Sequence, residues 1–324
     1  MPVRQRAPNE RDTAPGADHG SGAVRRAFLL LTLGVCSCSA SSAGPARPTA
    51  EAGASVDAAA SCNTPPDQRP DGGTCILEAK GTVQDLAGAP LVDLIMTLCG
   101  NQCYGGRSGK GGAFDISPVG DFLDTENYAI HADGRPDHAV DYVRLTKGEP
   151  PVITVTMRLP TLPPSSVLLP SDLAPASSVT QGDLTLSIPD GTFFDLDVED
   201  FGTTEGRTLR VAPVPLSDAP PHAVAAKVDA IYALAPSGAK AKLTNSLGAL
   251  LKMGVALKNS AGLPASAAVD ILVLGDDYFS TPPNVGLLSV GAAAHVSTDG
   301  TTIQTDPGEG ISELTWLGVR RKGK

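Results

Sequence analysis

Carboxylates crowd one short run of this chain. Asp190, Asp195, Asp197, Glu199 and Asp200 fall within eleven consecutive residues, and oxygen donors of that kind in a loop are what calcium takes. Their spacing departs from that of the helix–loop–helix calcium hand. Alternation instead turns Phe194, Leu196 and Val198 to one side and the acids to the other, as on a strand edge that faces water. We read the run as a solvated strand edge, with calcium held by these five acids as the alternative and no other cofactor implied.

Histidine offers little more. The five stand at positions 19, 131, 138, 222 and 295, with no metal-ligand spacing. His131-Ala132-Asp133 and Asp137-His138 each put an imidazole beside a carboxylate, which is the orienting half of a general base. Both flank the run Asp133–Asp137, which reads as an exposed loop where such neighbours are simply solvated. Ser108-Gly109-Lys110-Gly111-Gly112 has the glycines of a phosphate loop, but no helix follows to supply amide donors and a dipole, so it reads as a turn. There is no glycine-flanked serine elbow. No catalytic residues are expected.

Six cysteines are present. Four of them, Cys62, Cys75, Cys99 and Cys103, follow the export segment described next, and an even count in an oxidising compartment points to disulfides. Three connectivities are open to four cysteines. Cys99-Gly100-Asn101-Gln102-Cys103 has a turn-like spacer that favours a bond across a hairpin tip, which leaves Cys62 to close a loop with Cys75. Zinc is the competing reading, and no histidine lies between Cys62 and Cys103 to support it.

Arg25-Arg26 precede nine largely apolar residues, Ala27–Val35, and small residues follow. That is the order of a secretory signal, and it is too short to span a bilayer, which takes about twenty residues. The run resembles a bacterial lipoprotein signal, in which an aliphatic residue three places before a cysteine and a small one just before it mark the cut. Cys38, with Val35 and Ser37, fits better than Cys36, with Leu33 and Val35. The resemblance implies acylation of Cys38 and a hold on a membrane through acyl chains. Arg25-Arg26-Ala27-Phe28-Leu29 is also similar to the twin-arginine export pattern. Residues 1–24 are unlike the start of a signal, and translation from Val24 is expected.

From Cys38 onward the chain carries 20 Lys+Arg against 32 Asp+Glu. An acidic surface without basic runs excludes nucleic acid as the expected partner and gives no electrostatic attraction to anionic lipid. The chain's 35 Gly and 28 Pro, with a single Trp, punctuate it at short intervals, as many short strands require.

These elements give an expected organisation: an N-terminal extension and export signal (1–37), a flexible tether (38–74) too poor in apolar residues to fold, one β-sandwich (75–160) and a second (161–324). The expected fold class is all-β. In the first sandwich the strands expected are Ile76–Gln84, Leu91–Leu98, Ala113–Ser117, Tyr128–Ala132, Ala139–Leu145 and Val152–Arg158, with Tyr104–Ser108 in addition. Along Leu91–Cys99, Val92, Leu94, Met96 and Leu98 share one face, while Asp93, Thr97 and Cys99 share the outer one. Pro160–Ser166 reads as a linker. In the second sandwich the strands expected are Leu184–Ile188, Thr208–Val214, Ala230–Leu234, Leu250–Leu257, Val269–Leu274, Ala293–Ser297, Thr302–Thr305 and Leu314–Val319, with a hairpin at Asp299-Gly300.

Gly81-Thr82-Val83-Gln84-Asp85, Gly88–Leu98, Gly111-Gly112-Ala113-Phe114-Asp115-Ile116 and Tyr128–Ala132 resemble the carboxypeptidase regulatory-like family of small transthyretin-like sandwiches. The resemblance implies an accessory module and brings no carboxypeptidase catalytic residue. Leu184 through Pro189-Asp190-Gly191-Thr192, Tyr232–Gly238 and Thr298-Asp299-Gly300 are similar to ZU5-type sandwiches. Some of these cut their own backbone before the serine of His-Phe-Ser, but here Tyr278-Phe279-Ser280 lacks the histidine that would activate the hydroxyl. The function expected is that of a non-enzymatic cell-envelope module that binds glycan or envelope protein, on the periplasmic or cell-surface side. An envelope hydrolase or self-cleaving domain with an unfamiliar site is the alternative.

Overall fold

The computed structural model describes the chain from Cys62 to Gly323, except for residues 63–64, 66, 68, 70, 72, 119, 134–136, 171–174, 197–203, 244–247 and 279–283. Cys36, Cys38 and the rest of the export segment, Val24, most of the tether, Asp197, Glu199, Asp200, Phe279 and Ser280 all lie outside the described residues. The chain divides into two units, Met1–Ala54 and Ser55–Lys324, and every described residue belongs to the second. Among the described residues no helix is long and apolar enough to cross a membrane.

The fold is all-β. β1 (Thr74–Ile76), β2 (Glu78–Asp85), β3 (Ile95–Cys99), β4 (Cys103–Arg107), β5 (Ala113–Ile116), β6 (Asp121–Leu123), β7 (Ala129–Ala132), β8 (Asp141–Arg144) and β9 (Val152–Leu159) pair only among themselves. One sheet runs β5-β2-β9, with β2 and β9 parallel; the other runs β4-β3-β7-β8, and β1 pairs with β6. Alternate residues point inward as the pleat requires. Met96 and Leu98 of β3, Phe114 and Ile116 of β5, and Ile153 and Met157 of β9 meet in one buried cluster.

A second group of strands pairs within itself: β10 (Ser177–Gln181), β11 (Leu184–Ile188), β12 (Thr192–Asp195), β13 (Arg210–Val214), β14 (Ala230–Ala235), β15 (Ala239–Leu243), β16 (Gly254–Lys258), β17 (Ala268–Leu274), β18 (Leu288–Val296), β19 (Thr302–Thr305), β20 (Glu313–Leu314) and β21 (Leu317–Arg321). The large sheet runs β10-β11-β16-β19-β18-β17-β21-β14-β13 and a small one runs β12-β15-β20. The core of this sandwich takes Leu184, Leu186 and Ile188 of β11, Phe194 of β12, Ile271 of β17 and Val319 of β21. The described residues include one short α-helix, α1 (Pro221–Ala225), started by the Pro220-Pro221 pair.

Strand β14 shows why the two sandwiches are not independent. Its sequence, Ala-Ile-Tyr-Ala-Leu-Ala, is apolar at every position, as a strand buried on both faces must be. Tyr232 and Leu234 enter the second sandwich's own core. Ile231, Ala233 and Ala235 point the other way, into a cluster that also holds Ala129, Ala139 and Tyr142 of the first sandwich, Leu162, Leu272 and Trp316. The sandwiches therefore share a third core at a seam.

The structure corrects three expectations. Cys99 is buried, because what would be an outer face of β3 and β7 lies toward the seam. Pro160–Ser166 is extended but docked: Leu162 is buried in the seam cluster, its N–H donates to Asp137 O, and Pro163 O accepts Arg210. Val92 does not share the buried face of Leu94, Met96 and Leu98. Asp93 takes φ +66, which ends the alternation before β3 begins and leaves Val92 in solvent.

Candidate functional site

Three residues from distant parts of the sequence meet at the seam. Asp141 opens β8, the edge strand of its sheet; His222 is the second residue of α1; and Trp316 stands just before β21. Trp316 Nε1 donates to Val140 O at 2.6 Å, and its ring meets the His222 imidazole edge-on with centroids 5.6 Å apart. Behind the imidazole, Asp141 Oδ1 lies 3.5 Å from His222 Nδ1 and accepts the Tyr142 N–H at 2.9 Å. Tyr142 stacks on His131, its cross-strand partner on β7, at 4.4 Å.

Both titratable groups of this trio are buried. Burial pushes the Asp141 carboxyl up to about 7 against the help of the Tyr142 N–H, and it pushes the His222 imidazole down to about 4. Each group resists charge for the same reason, the cost of desolvating an ion. His222 has no hydrogen-bond partner at either ring nitrogen. An orphaned buried polar atom costs about 1–3 kcal/mol, so a group left this way asks for an explanation.

A groove of about 630 Å³ opens at the seam, lined by Glu126, Tyr142, Arg144 and Lys147 of the first sandwich and by His222 and Leu287 of the second. A smaller pocket of about 300 Å³ shares Glu126 and Lys147 with it and adds Asp71 and Asp124. Arg144 is committed to structure, donating to Val285 O and Glu126 O, whereas Lys147 and Glu126 make no ion pair among the described residues. Gly286 makes the close approach possible. It has φ +69, and a Cβ there would stand 3.2 Å from Arg144 Cβ.

Several backbone groups along the groove's strand edge are already occupied. Val140 O accepts Trp316, the Tyr142 N–H is taken by Asp141, and the Thr146 N–H is taken by Glu149 at 2.8 Å.

The residues singled out in the sequence fall elsewhere. Asp195 pairs with Lys242 of β15, and among the described residues no group of three or more His, Cys, Asp or Glu is placed to hold a metal. His131 lies 2.9 Å from Asp133. His138 has Asp137 Oδ1 at 3.0 Å from Nδ1 and Thr161 Oγ1 at 3.5 Å from Nε2, too long for proton transfer. Cys62 is bonded to Cys75 with α-carbons 5.9 Å apart, and Cys99 to its cross-strand partner Cys103 at 4.1 Å. Tyr278 lies in a second acidic cluster near the seam, where its hydroxyl has no hydrogen-bond partner and burial with the nearby Asp133 and Asp276 charges raises its pKa. Lys240 pairs there with Asp276 at 3.2 Å. Burial, together with the Asp276 carboxylate, pushes Glu313 up to about 9, against the opposing pull of Lys240.

Asp141, His222 and Trp316 left faint signals in the sequence: an acid inside an apolar alternation, a histidine after paired prolines and the chain's single tryptophan. None of these says that the three will meet.

No family model matches the chain, and no curated protein matches it. One similar solved structure is a protein of Bacteroides uniformis provisionally described as carbohydrate binding. It is 8% identical, with a TM-score of 0.20 over 75% of this chain and 98% of that one. A likeness so slight carries no argument about fold or function.

Proposed function

We propose that this is an exported, lipid-anchored and non-enzymatic cell-envelope protein that binds envelope glycan in the seam groove. The observation that carries the binding is the groove itself, walled by two sandwiches that share a buried core and lined by polar and apolar side chains side by side. Sugars need both, hydrogen bonds for their hydroxyls and cover for their C–H faces. Its volume falls within the range of about 300–1,000 Å³ usual for small-ligand sites. The occupied Tyr142 and Thr146 N–H groups disfavour a peptide added as a further strand, and the acidic balance argues against nucleic acid. Burial lowers the His222 imidazole to about 4, which makes it a weak proton acceptor and favours a binding role over a catalytic one.

The remaining features of this reading rest on sequence. Acyl chains on Cys38 hold the protein to a membrane, the expected tether of residues 38–74 is shortened at its far end by the bond that ties Cys62 to Cys75, and residues 75–160 serve as a carboxypeptidase regulatory-like accessory module ahead of the 161–324 sandwich. The whole lies on the periplasmic or cell-surface side.

One experiment addresses both halves. The full chain and its Cys38→Ala variant are grown with radiolabelled fatty acid and then passed over immobilised envelope glycans. Label on the wild type alone, with equal glycan retention by both forms, is the expected result. Label surviving Cys38→Ala overturns the anchor; retention by neither form overturns the glycan, and capture of an envelope protein instead replaces it.

A further inference from the structure

A lysine and two acids meet between the sheets of the second sandwich. Lys240 of β15 stands directly opposite Glu313 of β20 in the small sheet. Asp276 follows β17, the strand of the large sheet that ends at Leu274. Two bonds hold that strand end against the segment after Glu313: the Leu274 N–H donates to Trp316 O at 3.1 Å, and Thr315 Oγ1 donates to Leu274 O at 2.8 Å. Lys240 Nζ lies 3.3 Å and 3.2 Å from the two carboxylate oxygens of Asp276. The Glu313 carboxyl is within hydrogen-bonding reach of the same group, and its Oε1 is buried without a partner. An ion pair alone needs no second acid, least of all one whose carboxyl stays protonated up to about pH 9.

We infer that Lys240 and Asp276 are the two halves of an intramolecular amide cross-link, which the folded chain forms on itself with Glu313 as the proton carrier. Such a condensation needs an amine about 3–3.5 Å from a carboxyl, a neutral acid to protonate the departing oxygen, and cover from bulk water. The first two are described above. Tyr142 and Tyr278, both largely buried and near enough to Asp276 to feel its charge, supply the cover. Burial draws the Lys240 amine down, but the charges of Glu313, Asp276 and Asp277 outweigh it and raise its pKa, so the nitrogen starts as an ammonium. It passes one proton to the Asp276 carboxylate, and the free amine then attacks Asp276 Cγ. Glu313 donates its proton to the hydroxyl of the tetrahedral adduct, the C–O bond breaks and water leaves. The Glu313 carboxylate takes a proton from the nitrogen and is restored. One ammonium and one carboxylate become one amide and one water, with nothing oxidised or reduced. The bond ties β15 of the small sheet to the end of β17 in the large one and closes this sandwich covalently.

The test uses the purified full chain carrying Cys38→Ala, incubated at neutral pH, then denatured, reduced and digested with trypsin for mass spectrometry. The expected result is a branched peptide that joins the stretch holding Lys240 to the stretch holding Asp276, uncut after Lys240 and lighter than the sum of its parts by one water. Lys240→Arg keeps the positive charge beside Asp276 but offers no amine nucleophile, and should give linear peptides only, as should Asp276→Ala. Glu313→Gln should slow the appearance of the branch by about a hundredfold, the usual worth of one positioned proton carrier. Unaltered Trp316 emission in the three variants shows that they are folded. Linear peptides alone from the parent protein after prolonged incubation overturn the inference, whatever the variants do. A branch from Lys240 to another acid, or from Lys242 to its own partner Asp195, overturns the assignment of the two halves. Branching at an undiminished rate in Glu313→Gln overturns its part in proton transfer. The glycan reading of the groove stands or falls separately from all of these outcomes.

Discussion

Asp141 and His222 titrate in opposite senses within one buried contact, and the signs can be worked out separately. The Asp141 carboxyl rises from 3.8 to about 7 on folding; the folded state resists its ionisation, so its effect is a loss of stability as pH rises through that window. His222 falls from 6.5 to about 4; the folded state resists its protonation, so stability is lost as pH falls from 6.5 toward 4. Each slope approaches about 1.4 kcal/mol per pH unit where one form is buried and the other solvated. In the wild type the two nearly cancel between pH 4 and 6.5. Relative to wild type, Asp141→Asn should therefore gain stability as pH rises across that interval, and His222→Phe should lose it. Denaturant unfolding at several pH values measures both differences, in which the titration of Glu313 drops out because all three proteins share it. Differences of the same sign in the two variants would refute these opposite shifts.

At the level of elements, the tightest constraint on the seam is the loop that leads into β18. Gly286→Ala must place a Cβ at φ +69 and 3.2 Å from Arg144 Cβ, and should cost about 1–3 kcal/mol from backbone strain and displacement of β8. A thermal melt that matches the wild type would show that β8 does not depend on this contact. The strands themselves were largely legible. β11 and β19 match the runs expected from alternation, and Phe194 does face inward on β12. β10 and β15 were missed because Ser-Ser-Val-Thr-Gln and Ala-Lys-Ala-Lys-Leu carry too little apolar contrast for their length. The site was not legible at all. Its central contact joins Val140 to Trp316 across 176 positions, and no local period encodes a pairing over that distance.

For the molecule as a whole, the shared core makes two sandwiches one cooperative body. Trp316 is the chain's only tryptophan and lies within that core, so its emission reports the seam while far-ultraviolet dichroism reports the sheets. The two signals should change at one midpoint on heating, as two-state unfolding requires. Trp316→Ala should lower stability by about 3–5 kcal/mol. Separate midpoints in the wild type would mean that the sandwiches part before they melt. The bond from Cys62 to Cys75 has a consequence of another kind. Tension applied from the N-terminal side reaches the folded body at Cys62 and crosses directly to Cys75, bypassing the intervening loop. From β1 it passes along the chain into β2, which is flanked by β5 on one side and β9 on the other. A pull along β2 loads both ladders in shear, with many hydrogen bonds sharing the strain at once, where a pull on an edge strand would peel them apart singly. Were the chain held at Cys38 as proposed, load would enter the fold through a central strand and not through an edge.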